Sequence, residues 1–284
     1  MNIKEFFDWR EEPFKKTLIM GILNVTPDSF SDGGLYLNCR SAVKRALVMV
    51  NEGADIIDIG GESTRPGSIP VSFEIELNRV IPVIKAIRKK TDCMLSIDTY
   101  KSKIARAAFK AGAGMLNDIS GLTFDKMMAK TAAKYKVPVI IMHIQGKPPD
   151  MNENPHYENL MEEVIDYFRE RISQARTEGI HEKNIILDPG LGFGKRSEDN
   201  FELIRELRQI ATLGFPVLLG PSRKSFIGHV INTPIKDRIE GTSALATAGI
   251  LNGGNIIRVH DVKVMKRVAA ITDHLKGKSA NDII

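Results

Sequence analysis

The sequence predicts an α/β fold of the (β/α)8 TIM-barrel class, a single domain over residues 1–284 with its core at about 17–275. Three observations carry that prediction. Eight short β-branched or apolar runs alternate with eight longer segments of helical periodicity, the pattern of parallel strands covered by crossover helices. The 284-residue chain holds eight such units in the ~250 residues this barrel typically uses. A polar or charged residue stands at or just after the end of every apolar run, and a barrel gathers all its strand ends onto one face. An open doubly wound sheet also fits the alternation, but the series of polar strand ends favours the barrel.

The first run, 17–23, ends at Asn24, and a long turn-rich loop separates it from a helical stretch at 42–51. The second, 55–59, contains Asp58 and is followed by Glu62 and a helix at 74–89. Runs at 93–97 and 115–117 end on Asp98 and Asn117 and precede helices at 103–111 and 127–135. The run 137–142 stops before His143 and leads to a helix at 160–177, while 185–187 meets Asp188 and precedes 200–210. Ser222 and Lys224 follow the seventh run, 215–219, and a helix at 237–251 comes next. The eighth, 255–259, carries Arg258 with His260 just beyond it, and the helix 262–275 closes the series. Gly53, Gly112 and Gly179 stand where three of these helices should stop.

Composition excludes several classes. With 43% hydrophobic and 26% charged residues the chain is ordinary globular protein, not disordered, collagenous or a disulfide scaffold. Its longest apolar stretch, 137–142, is far shorter than the ~20 residues of a membrane helix. Lys4, Glu5, Asp8 and Arg10 occupy the place where an export signal needs an apolar core, so a cytoplasmic protein without membrane contact is expected. Cys39 and Cys93 read as free thiols. The net charge of +5 comes from scattered basic residues at element ends, which suits solvated faces better than nucleic acid.

Several loops carry chemistry. The first, 21–34, is long and holds Phe30; it suits a lid that excludes water, and equally an ordinary surface loop with Asp28 and Asp32 making side-chain turns. In the second, 60–67, Gly60 and Gly61 allow close backbone approach and Arg65 can grip an oxyanion, although a plain Gly/Pro turn has the same composition. The segment 188–195 fails the P-loop pattern at Pro189 and Arg196, and its third glycine falls one residue early for a dinucleotide fingerprint. What remains is a glycine loop displaying Phe193 after Asp188. Loops 220–225 and 258–261 follow the seventh and eighth strands, where barrels frequently hold phosphate. There Lys224 suits a Schiff-base lysine or a solvated neighbour of Arg223, and a turn at His260 can bring Arg258 and His260 inward together. His143 has no partner close in sequence, and no cluster has zinc spacing; any metal is a hard cation held by oxygens.

Seven ordered segments together resemble the dihydropteroate synthase family: GILNVTPDSFSDGG (21–34), GGESTRPG (60–67), SIDTYK (96–101), NDISG (117–121), DPGLGFGK (188–195), SRKSFIG (222–228) and RVHDV (258–262). The resemblance implies the same barrel and the condensation of 6-hydroxymethyl-7,8-dihydropterin diphosphate with 4-aminobenzoate, a step of folate synthesis. It implies that Asp98, Asn117, Asp188 and Lys224 bind the pterin, with Met142 and Gly220 among the substrate-binding residues. Arg65, Arg258 and His260 are implied to hold the diphosphate, and Asn24 to be a ligand of Mg2+. Thr64, Pro66, Phe193 and Ser225 are implied to neighbour the aminobenzoate, under lids that include Phe30, Ser31 and Asp32. Asp98, Asp188 and Lys224 are the implied catalytic residues. The family further implies a homodimer and competition by sulfonamides.

One departure is local: where the family tends to show Gly-Thr-Pro after the fifth strand, this chain has Gln145-Gly146-Lys147-Pro148-Pro149. Two other readings compete with this one. A pterin-binding methyltransferase barrel that serves a corrinoid shares an acidic pterin pocket but has no need of the Arg65, Arg258 and His260 group. A non-enzymatic binding barrel has no need of the pocket chemistry at all.

Overall fold

The computed structural model describes residues 1–12, 15–26, 35–64 and 67–276, with backbone alone at 35–38. The chain begins with α1 (Ile3–Glu11), β1 (Leu18–Asn24), α2 (Leu35–Asn51), β2 (Ile56–Gly60), α3 (Phe73–Arg88), β3 (Met94–Asp98) and α4 (Ser102–Ala111). It continues through β4 (Met115–Asp118), α5 (Met128–Tyr135), β5 (Val139–Met142), α6 (Leu160–Thr177), β6 (Ile185–Asp188), α7 (Ser197–Arg205) and α8 (Leu207–Ala211). Last come β7 (Val217–Leu219), α9 (Ser225–Ile231), α10 (Ile239–Leu251), β8 (Gly254–Val259) and α11 (Val262–Leu275). The strands pair in sequence order, all parallel, and β8 returns to β1 to close the expected (β/α)8 barrel.

The two-residue period of a strand decides what the barrel holds. Ile57, Leu95, Leu116, Ile141, Leu187, Leu219 and Ile257 belong to the large apolar core between strands and helices. Their neighbours Ile56, Met94, Met115, Ile140, Ile186, Leu218 and Ile256 form a separate cluster with Leu18 and Met20, inside the barrel. Two residues further along the same inward face stand Asp58, Ser96, Asn117, Met142, Asp188, Gly220 and Arg258, with Asp98 one step above Ser96. The interior is therefore apolar at the N-terminal end and polar at the C-terminal end.

Helix α1 covers the apolar end. Phe6 and Trp9 are 0% and 2% exposed and join the inner cluster. A capping box between Asn2 and Glu5 fixes the start of the helix. Trp9 Nε1 donates to Lys16 O at 2.8 Å and Arg10 Nη1 to Ile185 O at 2.9 Å, tying the helix to the barrel rim. The core thus extends in front of residue 17, because the bottom layer of inward Met, Leu and Ile side chains needs an apolar cover.

Three other boundaries differ from the sequence expectation. Helix α2 begins at Leu35, well before residue 42. The stretch 200–210 breaks at Glu206 into α7 and α8, although Leu203, Ile204, Leu207 and Ile210 stay buried across the break and preserve the apolar periodicity. Helix α9 has only seven residues, too few to register as a periodic pattern, with Phe226 and Ile227 buried. Cys39 and Cys93 are both free.

Candidate active site

A cleft of about 360 Å³ opens at the polar end of the barrel. It is lined by Thr64, Asp98, Asn117, Met142, Asp188, Phe193, Gly220, Lys224 and Arg258, together with Ile119, Gly190 and Leu191. Roomier grooves lie outside the barrel against α6 and α7, bordered by the exposed Glu162, Arg169 and Arg205; nothing charged is buried in them. The interior cleft is the candidate site because its polar groups are held out of water by the fold.

At its base Arg258 joins two strands' carboxylates. Its Nε donates to Asp58 Oδ2 at 2.6 Å and its Nη2 to Asp98 Oδ2 at 2.7 Å. Asn117 Nδ2 donates to the same Asp58 oxygen at 2.9 Å. Asp58 is 0% exposed; the guanidinium and the amide both donate to its Oδ2, which offsets part of its burial, while its Oδ1 has no hydrogen-bond partner among the described residues. Asn117 Oδ1 and Ser96 Oγ are buried without a hydrogen-bond partner among the described residues, which leaves acceptor capacity beside the cleft. Burial pushes Asp98 up to about 7 despite the pull of Arg258, with Asp58 adding to the rise.

Asp188 closes the other side. Its Oδ1 accepts the Gly190 N–H at 2.8 Å, and burial raises it to about 6 against the opposing effect of that bond, Lys224 and Arg258. Lys224 Nζ lies 4.4 Å from the centre of the Phe193 ring, and burial lowers it to about 8 while Asp188 favours its charge. The glycine loop makes this packing possible. Gly190, at φ +69°, passes so close to the His143 carbonyl that a Cβ would overlap it, and at Gly192, φ +79°, a Cβ would crowd the Lys224 stem. Lys224 itself follows Arg223, a left-handed residue at φ +58° held by Asp261, Thr242 and Arg238.

The remaining expected residues fall around this cleft. Asn24 ends β1 beside Gly60, where an added Cβ would sit 3.7 Å from its Oδ1 and 3.6 Å from Asp98 Oδ2. Bare glycine thus keeps space open between two hard oxygens. One neutral amide oxygen suits a cation such as Mg2+ that retains water and takes its other ligands from substrate phosphates. No cluster of three or more His, Cys, Asp or Glu side chains poised to hold a metal exists among the described residues. Ser225 is exposed at the first residue of α9. β8 stops at Val259, so His260 sits in a bend, half-buried, with Nδ1 2.9 Å from Ser222 Oγ. The bend expected at His260 is present. Phe30, Ser31, Asp32, Arg65 and Pro66 lie outside the described residues.

Two supporting clusters were not expected from sequence. Glu62 accepts from Tyr100 and Lys101, Lys101 Nζ also bonds Glu76 Oε2 at 2.6 Å, and the Val71 N–H returns to Glu62 Oε2 at 3.2 Å. One carboxylate therefore fixes both ends of the segment that presents Thr64. The second is Lys195, whose Nζ reaches His143 Nδ1 at 2.9 Å and Phe193 O at 3.0 Å in the interior. Burial lowers Lys195 to about 7 and, with Lys195 adjacent, keeps His143 well below its usual value, hence neutral. His143 has its partner 52 residues away along the chain, beyond the reach of any local spacing rule.

Comparison with known proteins places this geometry. The sequence pattern of a family described as "Pterin binding enzyme" matches residues 20–260. A dihydropteroate synthase from Clostridium beijerinckii is 51% identical over 260 residues, covering 91% of this chain and 94% of that protein. A solved dihydropteroate synthase from Clostridium difficile, obtained in the presence of pteroic acid, is similar at a TM-score of 0.89 and 48% identity over 93% of this chain and 98% of that one. Another from Xanthomonas albilineans, with 4-aminobenzoic acid, gives 0.88 and 40% over 94% and 95%.

Proposed function

The chain belongs to the dihydropteroate synthases within the pterin-binding enzyme family, and on that premise we propose how its cleft divides the work of the reaction. The enzyme condenses 6-hydroxymethyl-7,8-dihydropterin diphosphate with 4-aminobenzoate, giving 7,8-dihydropteroate and diphosphate for folate biosynthesis. The observation that carries the division of work is the joining of Asp98, Asn117, Asp188, Lys224 and Arg258 in one cleft.

A pterin edge presents an amino group and ring N–H donors. Asp98 and Asp188 accept them and Asn117 Oδ1 offers a further acceptor, a role its lack of a described partner supports. Lys224 donates to a ring acceptor from its place over Phe193, with Met142 and Gly220 bordering the ring. A donor left unpaired in such a pocket costs about 1–3 kcal/mol, so these residues select the heterocycle. The C–O bond to diphosphate then breaks, leaving a CH2 cation delocalised over the dihydropterin. Asp98 and Asp188 stabilise that charge in a site where water does not screen it. The aminobenzoate nitrogen forms the new C–N bond and releases its proton. No protein nucleophile takes part, and Lys224 binds rather than forming a Schiff base.

Arg258 and His260 face the departing diphosphate, with Arg65 joining them on the family resemblance alone. Asn24 would contribute to holding Mg2+, which would supply charge neutralisation of the leaving group when bound. Thr64 and Phe193 border the aminobenzoate, and Pro66 and Ser225 are assigned there by the resemblance, as are the lid residues Phe30, Ser31 and Asp32. A homodimer is part of the same reading. Exposed Leu251, Ile271 and Leu275 on the packed pair α10 and α11 support it, and light scattering tests it. No described helix is long and apolar enough to cross a membrane, and we read the site of action as the cytoplasm.

The test is direct: purified protein with the dihydropterin diphosphate, 4-aminobenzoate and Mg2+ forms 7,8-dihydropteroate and diphosphate in equal amounts. Absence of product, with methyl transfer to a corrinoid partner instead, would reverse the assignment.

A further inference from the structure

The Ser222 hydroxyl stands between two atoms of one histidine. His260 N–H donates to Ser222 Oγ at 3.2 Å, and the same oxygen lies 2.9 Å from His260 Nδ1. With one lone pair occupied by the backbone N–H, the hydroxyl proton is available to the ring nitrogen. Ser222 is 6% exposed, so bulk water competes poorly for that bond. The surrounding contacts fix both partners. Arg45 Nη2 donates to His260 O at 2.8 Å, and Arg223, next to Ser222, forks Asp261, next to His260, at 3.0 and 2.7 Å. Two consecutive residues after β7 are thus laced to two consecutive residues after β8.

We propose that Ser222 is a positioning residue for the diphosphate end of the substrate: its hydroxyl donates to His260 Nδ1 and so holds the imidazole in the Nε2–H tautomer. The bond made by one ring nitrogen sets the proton on the other. A neutral imidazole in the opposite tautomer turns a lone pair instead of a proton toward an anion, which repels the oxygen it is meant to hold. The inference rests on the proposed reading of His260 as a diphosphate contact.

The experiment uses the intact 15N-labelled enzyme, whose six histidines give few enough ring signals to assign by variants. Nitrogen–proton correlations of His260 are recorded in the wild type, in Ser222→Ala and in Ser222→Thr, and each protein is titrated with inorganic diphosphate and with unphosphorylated 6-hydroxymethylpterin. The wild type is expected to carry the proton on Nε2. Ser222→Ala is expected to mix the tautomers, to weaken diphosphate binding and raise KM for the pterin diphosphate roughly tenfold, and to leave unphosphorylated pterin binding unchanged. Ser222→Thr, which keeps the hydroxyl, is expected to restore both. A wild-type His260 protonated on Nδ1, or equal diphosphate affinity with and without the hydroxyl, overturns the role of Ser222. A wild type with the Nε2–H tautomer that binds no diphosphate refutes the functional reading instead, and with it the ligand assigned to His260.

Discussion

Arg258 Nη2 donates to Asp98 Oδ2 at 2.7 Å while its Nε holds the fully enclosed Asp58 at 2.6 Å, so one guanidinium links a carboxylate that lines the cleft to one that never meets water. The pairing lets a carboxylate remain in a dry site and still leaves it close to neutrality in its titration.

Asp98 is therefore expected to govern the acid side of pterin binding. Burial raises it to about 7, so as pH falls through that value the carboxylate gains a proton and loses acceptor capacity toward ring N–H groups. Pterin affinity is expected to weaken below about pH 7, and Asp98→Asn to remove that dependence and slow turnover by about 10²-fold or more. Calorimetry across pH with steady-state kinetics measures both. Near-normal kinetics in a folded variant removes Asp98 from the chemistry.

Replacing Arg258 by Met strands Asp58, which has no exposure through which to regain water. Breaking a buried pair from one side typically costs about 3–5 kcal/mol, so urea denaturation is expected to show a loss of that order. Arg258→Lys keeps the charge but not the fork to two carboxylates, and is expected to fall between. Diphosphate binding is expected to suffer more than free pterin binding; equal losses by calorimetry would defeat the assignment of Arg258 to the leaving group.

Lys195 leaves a signature in stability rather than rate. Its ammonium is lowered by burial from 10.5 to about 7, so between those values the unfolded chain binds more protons than the folded one. Stability linked to this residue consequently rises with pH across the window and is least below about 7. Denaturant melts of Lys195→Met are expected to lack that rise. A variant that follows the wild-type pH slope shows that the lysine is charged in the fold throughout.

Trp9 is the chain's single tryptophan and is 2% exposed under the barrel. Trp9→Ala is expected to destabilise the protein by about 3–5 kcal/mol, and the Trp9 fluorescence of the wild type to change in the same transition as the far-ultraviolet circular dichroism. A shift of Trp9 well ahead of the main transition would mean that α1 detaches before the barrel opens.

The barrel was readable because its physics is repetitive. Every strand end combined an apolar run with a polar terminus, so Asp98, Asn117, Asp188 and Arg258 could be placed together before any coordinates. Helix α1 was not, because a lone nine-residue helix that covers the barrel base has no strand behind it to mark the unit. Lys195 is illegible in the sequence for another reason: a lysine is usually solvated, and nothing local distinguishes one whose partner, His143, follows a different strand. The Ser222–His260 bond likewise joins residues 38 apart, and only closure of β7 against β8 brings them together. Arg258 was expected beside an anion, and its engagement with Asp58 emerges only once the inward faces of β2 and β8 meet across the interior.

The packed layer of Met20, Ile56, Met94 and their inward neighbours, covered by Phe6 and Trp9, leaves the cleft no exit through the base of the barrel. With a single mouth to the cleft, the reactant that sits deepest is expected to enter before its companion, and the joined molecule to leave by the same route; product-inhibition kinetics check that order.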